Sequence, residues 1–389
     1  MTTQTALDAD TPALIAFFED LHAHPELGFQ ESRTSGKVVA ALQAAGVEEI
    51  HTGIGGTGVV ALIRGQGAGN RSIGIRADMD ALPIEEASDL PYASQNPGVM
   101  HACGHDGHTT MLLGAAQHLV RTRDFDGTAV LIFQPAEEGL GGARRMIEDG
   151  LFDRFPCDEI YGIHNNPQMA PGDVAVCKGP SMAGAVFFDI RVTGHGSHAA
   201  MPQHARDALV AASGLVGQIQ SILGRNVPPL ETCVVSVTQI HAGTAYNVVP
   251  ETATLSGTIR YFSNDVRDLV EARMDALCRG TEAAFGVSVA LDFRPTFNVL
   301  VNDPALSDAY LAAAADIVGA DRVTDQVPPM TGSEDFADML EIVPGAYCTV
   351  GHTGAIPVHN PAFVLGPEIL PTGAAILARI VETRLPQRG

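Results

Sequence analysis

Between Met100 and His108 the chain carries three histidines, a cysteine and an aspartate within nine residues, Met100-His101-Ala102-Cys103-Gly104-His105-Asp106-Gly107-His108. Thiols and imidazoles are the donors that borderline divalent cations favour, so the chemistry on offer is metal chemistry. Read as an extended segment, alternate side chains share a face and Cys103 and His105 converge on one point. Gly104 between them lets the backbone come close to whatever occupies that point. The stretch therefore reads as half of a metal site, completed by residues further along. The bland alternative is a buried thiol beside helix-capping polar groups. A lone Cys-x-His favours that alternative, and the two further histidines in the same loop weigh against it. His101 and His108 read as supporting or substrate-facing groups. Asp106 reads equally as the cap of a helix starting near Gly107 or as a functional residue.

Other polar clusters share one placement. Asp78/Asp80, Glu137/Glu138 and His164 each follow an apolar run directly. In open parallel sheets, ligands bind outside the carboxyl ends of the strands, so unrelated strands would deliver these groups to one edge. Glu137 and Glu138 are neighbours and cannot point the same way. A solvated loop pair is the ordinary reading of two such carboxylates. At a strand end followed by glycine, one carboxylate as a ligand and the other as a general base is the alternative. Asp80 reads as an acceptor that orients a ligand histidine. His164 and His359 are each followed by Asn with Pro close behind; a lone histidine is more often structural, and residue chemistry alone leaves both open. His51, His118 and His241 fall in the structural class, and His22 and His24 stay undecided. Gly53 to Gly58 is glycine-rich but lacks the strand–helix setting of a dinucleotide loop and the lysine of a P-loop. Gly196-Ser197-His198 lacks a nucleophile elbow, which argues against a serine hydrolase.

The elements that would position these groups follow from the apolar pattern. Helices are expected over Thr11 to Leu27, Ser32 to Ala45, Thr109 to Val120 and Ala143 to Asp149. Apolar runs at 58–63, 72–76, 128–133 and 158–163 read as buried strands. Strands alternating with helices predict a mainly parallel sheet with helices on both faces. Near Gly179-Pro180 the pattern changes to strand (185–192), helix (206–222), two strands (232–240 and 252–259), helix (266–285) and strand (287–293). That order is the ferredoxin-like split unit. The expected division is a catalytic metal-binding domain over 1–180 plus 296–389, interrupted by an α+β lid domain over 181–295.

The totals agree. The 389 residues exceed what one core usually serves. A formal net charge of −22 argues against nucleic acid and anionic membranes as partners. The six cysteines form no Cys-x-x-Cys pair, so a reducing compartment is expected. The first residues show no basic start followed by an apolar stretch, and no run is long enough to cross a bilayer. A cytoplasmic location is the resulting expectation.

Seven motifs in register resemble one family. They are Met100 to Asp106, Gln134-Pro135-Ala136-Glu137-Glu138-Gly139, Gly162-Ile163-His164-Asn165, Gly194 to Pro202, Asn247-Val248-Val249-Pro250, Gly332-Ser333-Glu334-Asp335-Phe336 and His359-Asn360-Pro361. The family is that of hippurate hydrolase, bacterial N-acyl-L-amino-acid amidohydrolases and plant auxin-conjugate hydrolases, with aminoacylase and glutamate carboxypeptidase more distant. The resemblance runs from about His22 to the C-terminus. It implies a dinuclear metallohydrolase whose inserted lid forms a homodimer contact. By position, Cys103 would bridge two divalent ions, His105 and His164 would complete one, and Glu138 and His359 the other. Glu137 would be the general base. His198 of the lid would stabilise the oxyanion, and Asn247 and Arg260 would hold the substrate carboxylate. A thiolate with imidazoles suits Zn or Mn, with Co or Ni as further options, over Mg or Ca. Two departures bear on the substrate pocket: Pro202 is followed by Gln203 rather than His, and Asn166 stands where relatives often carry an aromatic residue.

The expected activity is metal-dependent hydrolysis of the amide bond of small N-acyl amino acids, giving a carboxylate and a free amino acid. The same-class alternative is a peptidase or deacylase acting on dipeptides, N-acetyl-diamino acids or N-carbamoyl amino acids. The different-class alternative is a non-catalytic metal-binding protein, against which an intact Glu137 beside Glu138 argues.

Overall fold

The strands Ser72–Asp78 and Thr128–Gln134 are buried at nearly every position, as central parallel strands are. The structure, a computed structural model, describes residues 3–387. These two strands pair in parallel from Ser72 opposite Thr128 to Asp78 opposite Gln134. Glu159–Asn166 lies parallel to Ser72–Asp78 on the other side, and Gly345–Gly351 lies parallel to Glu159–Asn166. The antiparallel strands Glu49–Ile54 and Gly58–Arg64 extend one edge, and the short strands Val174–Ala175 and Val323–Thr324 extend the other. The result is an eight-stranded sheet with a parallel centre. The α/β class expected from the strand–helix alternation is the one found.

Within this unit the helices His105–Thr122 and Ile369–Arg384 pack against each other. Glycine sets how close they come. A Cβ at Gly373 would lie 2.2 Å from Met111 Sδ, and one at Gly114 would lie 2.8 Å from Ala374 Cβ. Their shared core includes Leu112, Ala116, Leu377 and Val381.

Two boundaries differ from expectation for physical reasons. The first long helix is Thr11–His22 and stops short of Leu27; the residue before Pro25 is disfavoured in helical conformation, which ends the helix early. The helix expected from Thr109 begins at His105. Gly104 sits before it at φ 89°, a left-handed turn that converts the loop into the helix. Cys103 and His105 therefore flank a turn and do not share one face of an extended segment.

Contacts divide the chain into two compact units: residues up to Ser181 with Val301–Pro328 and from Asp335 onward, and Met182–Leu300 with Pro329–Glu334. The second unit is a four-stranded antiparallel sheet in which Gly184–Thr193 lies between Thr252–Tyr261 and Ser288–Phe297, with Cys233–Ala242 beside Thr252–Tyr261. With the helices Ala208–Arg225 and Asn264–Phe285 it forms the split unit read from the element order. Phe188, Ile190, Leu215, Ile219, Leu255 and Val270 form its core.

Candidate active site

The polar groups cluster where the parallel strands end. Asp78 ends one strand and Asp80 follows it, Glu137 and Glu138 follow another, and His164 lies near the end of a third. The turn at Gly104 adds Cys103 and His105. Two overlapping sets of ligand atoms result, each mutually within 4.8 Å: Cys103, His105 and His164, and Cys103, Glu138 and His359. Cys103 belongs to both. Its thiol lies 3.4 Å from His164 Nε2. Glu138 Oε1 lies 3.3 Å from His359 Nε2 and 3.9 Å from His105 Nε2.

Neighbours outside the two sets determine which nitrogen faces inward. His105 Nδ1 donates to Asp80 Oδ1 at 3.1 Å, so its Nε2 lone pair points toward the sulfur and carboxylates. His164 Nδ1 donates to the Asn165 carbonyl at 2.7 Å, which turns Nε2 toward Cys103. His105 Nε2 is buried with no hydrogen-bond partner. A buried ring nitrogen without a hydrogen-bond partner, surrounded by a thiol and carboxylates, is what a cation-binding cluster presents. Glu138 Oε1 also lacks a hydrogen bond of good geometry, although His359 is near enough for ion pairing. Bond direction decides this: proximity without alignment suits coordination of a shared third atom better than a direct bond.

The electrostatics agree with the geometry. Burial disfavours the charged form of His105, but Asp78 and Cys103 outweigh it and hold its pKa well above the ordinary value. The Cys103 thiol and Glu138 carboxylate raise His359 to about 10. Burial and the adjacent His108 push His164 well below its usual value. The field at the cluster draws positive charge toward Cys103 and Glu138, and a divalent cation satisfies it as well as protons do. The donor set of one thiol, three imidazoles and a carboxylate fits a borderline ion.

The chain matches the profile of Peptidase family M20/M25/M40 over residues 74–383. It is 39% identical over 360 residues to the hippurate hydrolase of Campylobacter jejuni, covering 92% of this chain and 93% of that protein. It belongs to this family. It is also 38% identical to an N-acetylcysteine deacetylase of Bacillus subtilis, covering 94% of this chain and 95% of that one. A solved Bacillus subtilis protein described as a dinuclear metal binding peptidase from the M20 family superposes with a TM-score of 0.86 at 35% identity, covering 98% and 99% of the two chains.

The remaining expected residues of this M20 chain are placed as follows. Asp80 is buried and serves both sides of the cluster, since its second oxygen accepts the Glu138 backbone N–H at 3.0 Å. Glu137 is buried, with Oε2 4.0 Å from His105 Nε2. His198, Asn247 and Arg260 belong to the second unit. His198 and Asn247 are neighbours there, because His198 pairs with Val248 and the Ala199 N–H donates to the Asn247 carbonyl. Arg260 lies on the strand Thr252–Tyr261, where its guanidinium bonds to Thr258 Oγ1 and the Ile259 carbonyl.

Further groups line the same cluster, and of these Arg76 and His352 were not singled out by residue patterns. His108 Nδ1 donates to Asp78 Oδ1 at 2.7 Å, and Arg76 donates to the other Asp78 oxygen at 2.7 Å. Both Asp78 oxygens are therefore already hydrogen-bonded, which distinguishes the Asp78, His105 and His108 group from the two sets that share Cys103. Asn165 bonds the Cys103 carbonyl at 2.6 Å and lies 3.1 Å from His352 Nε2. Its place directly after His164 was the one available signal. Asp106 sits in the first turn of the helix rather than at its N-cap; one oxygen accepts the Gly107 N–H at 2.8 Å and the other lies 2.7 Å from buried His22. Two non-glycine residues of the cluster region adopt left-handed backbone, Ala136 at φ 55° and His359 at φ 64°. Such outliers cost about 1–3 kcal/mol each and persist where surrounding contacts impose them.

Proposed function

We propose that this protein is a metal-dependent amidohydrolase that splits the amide bond of small N-acyl amino acids into a carboxylate and a free amino acid. The observation that carries the reading is the pair of donor sets sharing Cys103, with the buried Glu137 carboxylate beside them. Cys103, His105 and His164 would hold one divalent ion, and Cys103, Glu138 and His359 the other, with Zn or Mn favoured and Co or Ni as further options. When bound, such ions lower the pKa of water and polarise a carbonyl. Glu137 takes the proton of the attacking water and returns it to the leaving amine. Asp80 keeps His105 in the tautomer that presents Nε2. From the family resemblance, His198 stabilises the oxyanion, and Asn247 and Arg260 grip the substrate carboxylate.

The domain reading assigns catalysis to the first unit and the lid to the second. We assign homodimerisation to the lid. Its edge strand Cys233–Ala242 leaves Val234 39% and Ile240 47% exposed, an apolar edge that a second copy would cover. Among the described residues no helix is long and apolar enough to cross a membrane. All six cysteines are unpaired, which suits the reducing cytoplasm.

The relatives support the chemistry and leave the acyl group open, since one is named for hippurate and another for N-acetylcysteine. A hydrolysis panel that varies acyl group and amino acid separately tests the reading. Chelation should abolish turnover. Glu137→Gln should remove turnover by roughly 10²–10⁴-fold while metal stays bound. Near-full activity in that variant would remove Glu137 from its role.

A further inference from the structure

The backbone that carries Glu137 is strained, and a residue far away in sequence supports the strain. Ala136, directly before the base, has φ 55° and is completely buried. Its N–H donates to Glu31 Oε1 at 2.8 Å. Glu31 is itself 0% exposed, and its second oxygen accepts from Thr57 Oγ1 at 2.6 Å. Among the described residues no Arg, Lys or His side chain bonds this carboxyl, which is buried against neutral donors. Such burial is costly and calls for a reason.

The segment leading to Glu31 is fitted to the same turn. A Cβ at Gly28 would lie 3.0 Å from Ala136 Cα and 2.7 Å from Leu140 Cδ1. On its other side the turn is fixed by Gly142 N–H on the Ala136 carbonyl at 3.0 Å and by Asp80 on the Glu138 N–H at 3.0 Å. Two acidic side chains from separate segments thus clamp the residues flanking Glu137. Asp80 also touches His105, whereas the Glu31 carboxyl bonds Thr57 and the turn.

We propose that Glu31 is a positioning residue that holds Ala136 in its left-handed conformation and thereby aims the Glu137 carboxylate, a role that rests on the assignment of Glu137 as general base. Glu31 acts through the reach of its oxygen. Burial raises the Glu31 carboxyl above its ordinary value, so a neutral isostere of the same length suits the site. Released from Glu31, Ala136 relaxes toward extended backbone and Glu137 swings with it. A displacement of about 1 Å at a catalytic group can cost ~10²-fold in rate.

The test compares Glu31→Gln, which keeps the reach and loses the charge, with Glu31→Asp, which keeps the charge and loses the reach. Each is measured for kcat, KM and bound metal, with Glu137→Gln as control. The expected result is near-wild-type kcat for Glu31→Gln and a large fall in kcat for Glu31→Asp, with KM and metal content unchanged. Adding Ala136→Gly to Glu31→Asp should restore much of the lost kcat, because glycine accepts positive φ freely. The proposal is overturned if Glu31→Asp outperforms Glu31→Gln, if Glu31→Asp matches wild type, if it loses metal, or if Ala136→Gly fails to rescue it. An active Glu137→Gln would overturn the base assignment and this role together. An inactive Glu137→Gln beside a fully active Glu31→Asp overturns only the role of Glu31.

Discussion

Asn165→Ala removes one side chain that ties together three segments bearing candidate ligands. The polarity of its bonds follows from backbone donors. His352 Nδ1 accepts N–H groups from Gly354 at 3.0 Å and Gly366 at 3.1 Å, so the ring proton lies on Nε2 and is donated to Asn165 Oδ1. The Asn165 amide then faces the Cys103 carbonyl at 2.6 Å and His108 Nε2 at 3.1 Å. His108 Nε2 already accepts the Asn165 backbone N–H at 3.0 Å, which places its proton on Nδ1 toward Asp78. Truncation leaves the Cys103 carbonyl and the His352 N–H buried without partners. Each such group costs about 1–3 kcal/mol, and a water entering the vacated space would offset part, so roughly 2–4 kcal/mol is expected. For a unit of this size, that lowers the melting temperature by about 4–16 °C. Loosening the Cys103 turn should also weaken metal binding by roughly 10–100-fold, the usual effect of losing a group that orients a ligand. Thermal unfolding of metal-free protein reads the first effect, and competition against a chromophoric chelator reads the second. A variant that melts and binds metal like the wild type would refute the assigned polarity and the role of Asn165.

Cys103→Ser should weaken both cation positions at once, because the thiol belongs to both donor sets; with cobalt as a probe, the sulfur charge-transfer band should vanish, and its persistence would exclude Cys103 as a ligand. His22 gives a pH-dependent prediction. Burial opposes its charge, but Asp106 at 2.7 Å and Glu86 at 3.2 Å raise its pKa from 6.5 to about 9. A raised folded-state pKa contributes stability that is fully present below 6.5 and lost as pH climbs through about 9. The contribution is on the order of 3 kcal/mol. The stability gap between wild type and His22→Gln should therefore shrink across that window in denaturant titrations, and a gap that stays constant would show that His22 is neutral in the fold.

The candidate cluster was legible in the chain wherever a polar group followed an apolar run. Glu137, Glu138 and His164 were found this way, since a strand buried on both faces must deliver the residue at its end to one edge. The strand Gly345–Gly351 was not legible, because its alternation is short, it begins and ends in glycine, and its parallel partner lies far back in the chain. Groups that act through backbone atoms were equally hidden. Glu31 bonds a main-chain N–H, and Asn165 bonds a main-chain carbonyl. Such bonds depend on where the fold brings two loops and leave no spacing rule behind. Cys103 and His105 were selected for their chemistry, while the extended-face argument for their convergence gave way to the left-handed turn at Gly104.

That turn belongs to a wider pattern in how the cluster is built. Gly104, Ala136 and His359 have φ of 89°, 55° and 64°, and each lies at or next to a group assigned to the site. A left-handed residue reverses the local course of the chain within one position, so the next side chain is carried away from the surface its strand or loop would have faced. At the non-glycine positions the strain is countered by hydrogen bonds from the main-chain N–H, with Glu31 on the Ala136 N–H and the Ala102 carbonyl on the His359 N–H at 2.7 Å. Since a net hydrogen bond contributes roughly 0.5–1.5 kcal/mol against a strain of about 1–3 kcal/mol, one bond offsets part of the strain over most of that range. Packing must supply the balance. At Ala136 that packing comes from the Gly28 segment, whose missing Cβ leaves the room the turn occupies, so the strain beside Glu137 and the glycine facing it form one device.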